Sequence, residues 1–519
     1  VKGDSFFSLY HPLTLSPCHL VKILAEMRMR EKKYIAVDLG AESGRVIVGT
    51  LTADGIALRE MHRFPNVQVR VAREGGETLH WDILRLWTDI QIGVTKAAQE
   101  GGDIAGIGVD TWGVDFGLID ECGELLGNPV CYRDTRTEEM VEAVFSRMSK
   151  QAIYEITGIQ TMALNTLFQL ASLSYGNAPQ LKLAKKILFI PDLLSYWLCG
   201  VMGTDYTFAS TSQMLDARTR QWSPEVLKVV GIDAGLFPPL STPGTKGSVR
   251  GTVLKSVNAT LAAAQVPVIA VGGHDTASAV AAVPAGGGDD WLYLSSGTWS
   301  LLGAEVAEPV LTEQAAAYNV TNEGGVGGKI RLLKNLAGLW LLQECKRAWA
   351  RQGVEYDYTT LTTMAGEAPA HTAILDMDDP AFATPGEMPE KIAAHCRRTG
   401  QPVPTSPGIF ARVILESLAV GYARVARMME ELTGKRFKTL HIVGGGCQNE
   451  LLNQMAADAT GMVVMAEPIE ATALGNILTQ AMATGDVASL EAGRALVAKS
   501  LTAKPFVPGN RGPWERWMQ

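Results

Sequence analysis

Apolar positions change period repeatedly along this chain. "KYIAVDLG", "GRVIVGTL" and "IAGIGVD" are runs of β-branched and other apolar residues that end in Gly or Asp, the signature of buried strands. "DILRLWTDIQIGVTKAAQ" instead spaces Ile, Leu, Trp and Val at three to four residues, which predicts an amphipathic helix opened by an Asp cap. Strand-like and helix-like segments alternate in this way to the end, so the chain is of the α/β class. A weak internal repeat sits on top of that alternation. "YIAVDLGAESGRVIVGTL" and "WLYLSSGTWSLLGAEV" each read as strand, Gly/Ser loop, strand, and their loop residues Gly40 and Gly297 lie 257 residues apart. Both predict β-hairpins. Tight, N–H-rich loops on two facing hairpins suit a polyphosphate, but Gly and Ser are also ordinary turn residues.

At 519 residues, 47% hydrophobic and 19% charged, the chain is long enough for two or more domains with large cores. The Pro/Gly-rich stretch "VPAGGGDD", residues 283–290, predicts the main boundary. The reading is a non-native or disordered extension over 1–32, an N-terminal domain over 33–284 and a C-terminal domain over 285–508. Residues before "MRMREKK" have no apolar core or cleavage site of a signal peptide, and a native start at Met27 or Met29 is expected. A net charge of −8 without a basic patch gives no support for nucleic-acid binding. No run reads as a membrane span. Seven scattered cysteines with no C-x-x-C spacing argue against a zinc or redox motif and fit reduced thiols in the cytoplasm.

The common nucleotide motifs fail. In "EGGVGGKIR" the first glycine of a P-loop is Glu323 and the position after Lys329 is Ile330. "LHIVGGGCQNELLNQMAADA" resembles a dinucleotide fingerprint, but Asn449 stands where its last glycine should be. Three consecutive glycines still point to a backbone that a flat ligand approaches closely. In "VGGHDTASAV" a strand-like run over 266–271 meets two glycines, then His274, Asp275 and a small-residue helix. Two readings of Asp275 stand: a helix cap, and an acceptor for a substrate hydroxyl proton.

Taken together, "AVDLGAESGR", "YLSSGTWSLLG" and "LHIVGGGCQNELL" resemble, in order, the two phosphate motifs and the adenosine motif of the FGGY carbohydrate kinases. The resemblance covers residues 34–508. It implies an actin-like ATPase fold, with two ribonuclease-H-like domains flanking a catalytic cleft. "DTWGVDF", "YRDTRT", "GHDTASAV", "TNEGG", "LLKNLAGLWLLQ" and "EPIEATALGNI" are most similar to the members that phosphorylate L-rhamnulose, a 6-deoxy ketohexose, at O1. By that resemblance Ala41, Glu42, Ser43, Gly44, Arg45, Thr298, Gln343 and Gly445 bind ATP. Gly113, His274, Asp275, Thr276 and Asn335 bind the sugar, Asp275 is the proton acceptor, and Asp38 holds Mg²⁺ through water. The implied partners are a small sugar and ATP, with no nucleic acid and no membrane; the oligomeric state stays open, a monomer being compatible.

Several alternatives accompany this reading. Ala41 departs from the threonine usual in the family, so a hydroxyl contact to the terminal phosphate is absent. Glu42 is a carboxylate in an anion-binding loop and is expected to turn away or pair with a cation such as Arg45. Asp134 and Arg136 read as a structural ion pair, and Trp112 as a neighbour of the sugar's methyl group. The dipole of the helix after His274 is expected to lower the pKa of Asp275. Another ketose such as fuculose or xylulose, or a non-catalytic nucleotide-binding regulator of the same fold, are the rival readings.

Overall fold

The computed structural model describes residues 31–518 apart from Ala383, Pro385 and Thr502, so the expectation for the extension before Met27 falls outside the described residues. Two mixed sheets carry the fold. Six strands form the N-terminal sheet, in the order Gly55–Pro65, Ser43–Thr52, Lys32–Leu39, Ile104–Thr111, Pro267–Ile269 and Val249–Thr252. The C-terminal sheet repeats the order of the first four with Ile330–Ala337, Trp299–Val306, Trp291–Ser296 and Thr439–Val443; it continues with Val463–Ala466 and Lys504–Phe506, which come in the opposite chain order to their counterparts, and adds Thr321–Gly324 at the other edge.

Strand directions repeat as well. In each sheet the first two strands form an antiparallel hairpin, and the third is antiparallel to the second. The first strand then pairs in parallel with a later one, Ile104–Thr111 or Thr439–Val443. The internal repeat read from the two Gly/Ser loops is therefore a repeat of topology.

Burial explains the strand compositions. Tyr34, Ile35, Ala36, Val37 and Leu39 are all fully buried, because layers cover both faces of the sheet. Helix Ile83–Gln99 lies on one face; Asp82 caps it by accepting the Arg85 N–H, and Leu86, Ile90, Val94 and Ala97 point inward at helical spacing. Helix Pro407–Thr433 packs on the C-terminal sheet against Trp299–Val306 and Ile330–Ala337. A further core sits between the two sheets, drawing Tyr34 and Ala36 from one half and Tyr293, Leu474 and Ile477 from the other.

Two helices cross in that junction. Asp275–Ala281 follows the "VGGHD" corner, and Ala471–Thr484 comes from near the C-terminus. A methyl group on Gly475 would overlap the carbonyl oxygen of Ser278, so the crossing is closer than any side chain allows. Asn476 and Gln480 on the second helix donate to the carbonyls of Gly108 and Ile35 at 3.2 and 2.9 Å, tying it to the N-terminal sheet.

Candidate active site

A cavity of about 860 Å³ opens between the sheets, at the C-terminal ends of their parallel strands. The hairpin loops after Leu39 and after Ser296 face it from opposite halves and are built alike: Gly40 N donates to Ser43 O and Gly297 N to Trp299 O, both at 2.9 Å. Ala41, Glu42, Ser43 and Thr298 line the cavity. Gly44, Arg45 and Asp38 do not; they lie behind the first loop, where Gly44 packs on Phe64.

One end of the cavity is made by the C-terminal half alone. Gly444, Gly445, Gly446, Gln448 and Asn449 face Tyr358, Thr359 and Thr362 there, and Gln343 borders the same space. The Gln343 side-chain oxygen has no hydrogen-bond partner although it is buried, so an acceptor is held ready for a ligand.

The other end draws on both halves. Gly113 lies against the His274 ring, which would come within 3.3 Å of a Cβ there. Val114 follows with φ +70°, a conformation costly for a β-branched residue; Thr166 Oγ1 holds its carbonyl at 2.6 Å. Trp112 lines this end, fixed by the buried Asp115 carboxylate, which accepts from its ring N–H at 3.0 Å and from that of Trp81 at 2.6 Å. Burial pushes the Asp115 pKa up to about 6 despite those donors. Asn335 is a strand residue; its N–H and amide both donate to Gln160 Oε1 at 3.0 Å, a bond across the cleft.

Between the two ends stand His274 and Asp275. His274 is the N-cap and Asp275 the first helical residue, so the cap reading of Asp275 is corrected by one position. Its Oδ1 accepts the Thr276 N–H at 2.6 Å and lies 3.4 Å from His274 Nε2. The expected lowering of its pKa is also corrected. Loss of water between the cleft walls pushes the pKa up, and this outweighs the opposing pull of His274 and the Thr276 N–H.

Two further pairings differ from expectation. Glu42 bonds Arg347 of the opposite half at 2.8 Å, not Arg45. Arg45 is held by Asp38 at 2.6 Å and by Glu470, a pairing set by register, since Asp38 and Arg45 are directly opposed across the hairpin. Asp134 and Arg136 are no ion pair. The Asp134 carboxylate accepts the backbone N–H groups of Leu79 and Arg136, while the Arg136 guanidinium donates to Gln169.

Sequence reasoning missed Gln160, Glu323, Arg331, Arg347 and Glu470. Glu323 and Arg331 carried a usable signal: opposite charges eight residues apart around a Gly-rich turn. They are opposed in register on adjacent antiparallel strands.

Two hairpin loops, a glycine-lined shelf and a carboxylate between them form a bipartite cleft suited to moving a group from one ligand to another. Residues 33–282 match the FGGY family of carbohydrate kinases, N-terminal domain, and residues 292–484 match its C-terminal domain. The chain belongs to the FGGY carbohydrate kinases. As an FGGY kinase it is similar to the rhamnulokinase of Bacteroides thetaiotaomicron, 44% identical over 93% of this chain and 98% of that protein. It is 41% identical to the rhamnulokinase of Enterococcus faecalis, over 92% of this chain and 95% of the relative. FGGY architecture is also what the fold comparison returns. Xylulose kinase from Lactobacillus acidophilus superposes with a TM-score of 0.76 at 17% identity, covering 94% and 96% of the two chains. Plasmodium falciparum glycerol kinase with ADP gives 0.72 at 17% identity, covering 94% and 97%.

Proposed function

We propose that this kinase transfers the terminal phosphate of ATP to O1 of L-rhamnulose, within the breakdown of L-rhamnose. The similarity to rhamnulokinases over nearly the whole of both chains is the observation that carries the substrate. The cleft supports the chemistry. Phosphoryl transfer needs positioning and charge neutralisation more than covalent help. Gly113, His274, Thr276 and Asn335 hold the sugar at the end shared by both halves. Ala41, Glu42, Ser43, Gly44, Arg45 and Thr298 surround the phosphates, directly or from behind the loop, and Gln343 and Gly445 meet the nucleoside. The domain boundary is taken within residues 283–290.

Asp275 is the catalytic residue in this reading. It orients the sugar hydroxyl and takes its proton late, as a loose transition state allows. The raised pKa of Asp275 makes it a better acceptor than an ordinary carboxylate.

Mg²⁺ fits the residues present. Asp38 and Asp110 are opposed in parallel register, and burial and the neighbouring carboxylates push both pKa values up. Arg45 is the cation paired with this cluster, which leaves room for further positive charge. Among the described residues no three acidic, His or Cys side chains are placed to hold a metal directly. That suits an ion held by Asp38 through water and by the substrate's phosphates. When bound, Mg²⁺ supplies charge neutralisation at the transferring phosphate.

No helix among the described residues is long and apolar enough to cross a membrane. A reducing, cytoplasmic setting and small-molecule partners complete the reading.

Phosphorus NMR of the product tests the position of transfer. A 6-deoxy ketohexose has a single primary hydroxyl, so the account predicts a phosphomonoester triplet from coupling to two protons on C1. A doublet would place the phosphate on a secondary carbon and contradict the reading.

A further inference from the structure

Asp275 belongs to the N-terminal half, but the groups that hold its neighbour belong to the other half. His274 Nδ1 lies 3.3 Å from Glu323 Oε2 and 3.3 Å from Arg331 Nη2. Arg331 in turn bonds Glu323 at 3.0 Å and the carbonyl of Gly324 at 2.9 Å, and is fully buried. Both partners therefore hold the imidazole from its Nδ1 side. A neutral ring that accepts from Arg331 at Nδ1 carries its hydrogen on Nε2. A charged ring donates Nδ1–H to Glu323 and keeps a second hydrogen on Nε2. The other ring nitrogen, Nε2, lies 3.4 Å from Asp275 Oδ1.

The other donors to Asp275 choose the same oxygen. The Thr276 N–H and hydroxyl reach Oδ1 at 2.6 and 3.3 Å. The two Thr276 bonds and the His274 ring edge therefore converge on Oδ1, and no hydrogen bond holds Oδ2 among the described residues.

We propose that the Glu323–Arg331 pair is a positioning device for the base: by fixing His274 it anchors Asp275 through Oδ1 and leaves Oδ2 to take the sugar proton. This rests on the reading of Asp275 as proton acceptor. In the step so oriented, the O1–H proton passes to Oδ2 and a bond forms from O1 to the terminal phosphorus of ATP. The bond from that phosphorus to the β–γ bridging oxygen breaks, its electron pair leaving on ADP. The base of one half is thus held in line by the half that carries the nucleotide shelf.

The test is kinetic. Glu323→Gln alone strands the buried Arg331 charge and invites misfolding. The double variant Glu323→Gln/Arg331→Met removes both charges, and Glu323→Asp keeps the charge but shortens its reach. Each is measured for kcat and KM with L-rhamnulose and MgATP, and for sugar affinity by calorimetry without nucleotide. The expected result is a fall in kcat of about 10-fold to 100-fold, the scale of a misplaced reacting group. Sugar affinity of these variants should change less than about threefold, and adding His274→Gln, itself a sugar contact, to the double variant should lower kcat little further, as for residues acting as one unit. Wild-type kcat, a loss confined to sugar KM, or full additivity with His274→Gln would each overturn the proposal. Asp275→Asn separates the two levels of the argument. If it lowers kcat by about 10² or more while the Glu323 variants do not, only the positioning role fails; if it keeps near-normal kcat, the base assignment itself fails.

Discussion

Gly444, Gly445 and Gly446 are three consecutive glycines with three different reasons. Gly444 has φ +84°, which favours glycine on backbone grounds. A methyl on Gly446 would overlap Ser296 Oγ. Gly445 has neither constraint: its φ is ordinary, and a Cβ there meets nothing within 4 Å. Only the cavity it faces accounts for it. Gly445→Val should therefore fold normally and raise KM for ATP about tenfold or more, the usual cost of a few kcal/mol of overlap, with sugar affinity unchanged in calorimetry. Unaltered ATP kinetics would remove Gly445 from the nucleotide site. Asp275 gives a second test at this scale. Its pKa is raised from the ordinary 3.8, and only the ionised carboxylate accepts a proton. Rate is then retained above that raised value and lost as pH falls through it. A profile of kcat/KM for the sugar at saturating MgATP should show its acid limb above pH 3.8; a limb at or below that value contradicts the environment described for Asp275.

Helices Asp275–Ala281 and Ala471–Thr484 join the two halves, and Asp275 stands at the start of one of them. Because Gly475 sits against the backbone of Ser278, a side chain there must push the helices apart. Gly475→Ala should destabilise the protein by about 1–3 kcal/mol, as overpacking does, and lower kcat with it; an unfolding midpoint in urea equal to wild type would show that the crossing is looser than described. The elements themselves were largely legible in the sequence. Helix Ile83–Gln99 announces itself by period and by its Asp82 cap, and both hairpins by apolar runs around Gly and Ser. Partnerships between elements were not. Nothing local says that Glu42 meets Arg347, 305 residues away, or that Gln160 meets Asn335 across the cleft. The direction of the Asp275 pKa was misread for the same reason: the sequence displays the helix terminus but not the walls that strip water from it. Motifs in order revealed the cleft residues, because each motif sits where a strand ends at the same cavity.

At the scale of the molecule, two sheets that share the order of four strands face each other across a cavity lined by both halves. Contacts already cross it, from Glu42 to Arg347, from Gln160 to Asn335 and from His274 to Glu323, so the two halves are tied together on either side of Asp275. One end is a glycine shelf beside an unpartnered Gln343 oxygen; the other is a polar pocket walled by Trp112. That asymmetry is the physical content of the claim that ATP and a deoxy sugar meet at Asp275. Steady-state ADP release, measured with MgATP over a panel of ketoses and polyols that includes L-rhamnulose, L-fuculose and xylulose, tests it most directly. The account predicts that L-rhamnulose has the highest kcat/KM of the panel. A higher value for another sugar would contradict the substrate assignment, and no turnover with any of them would contradict the kinase reaction itself.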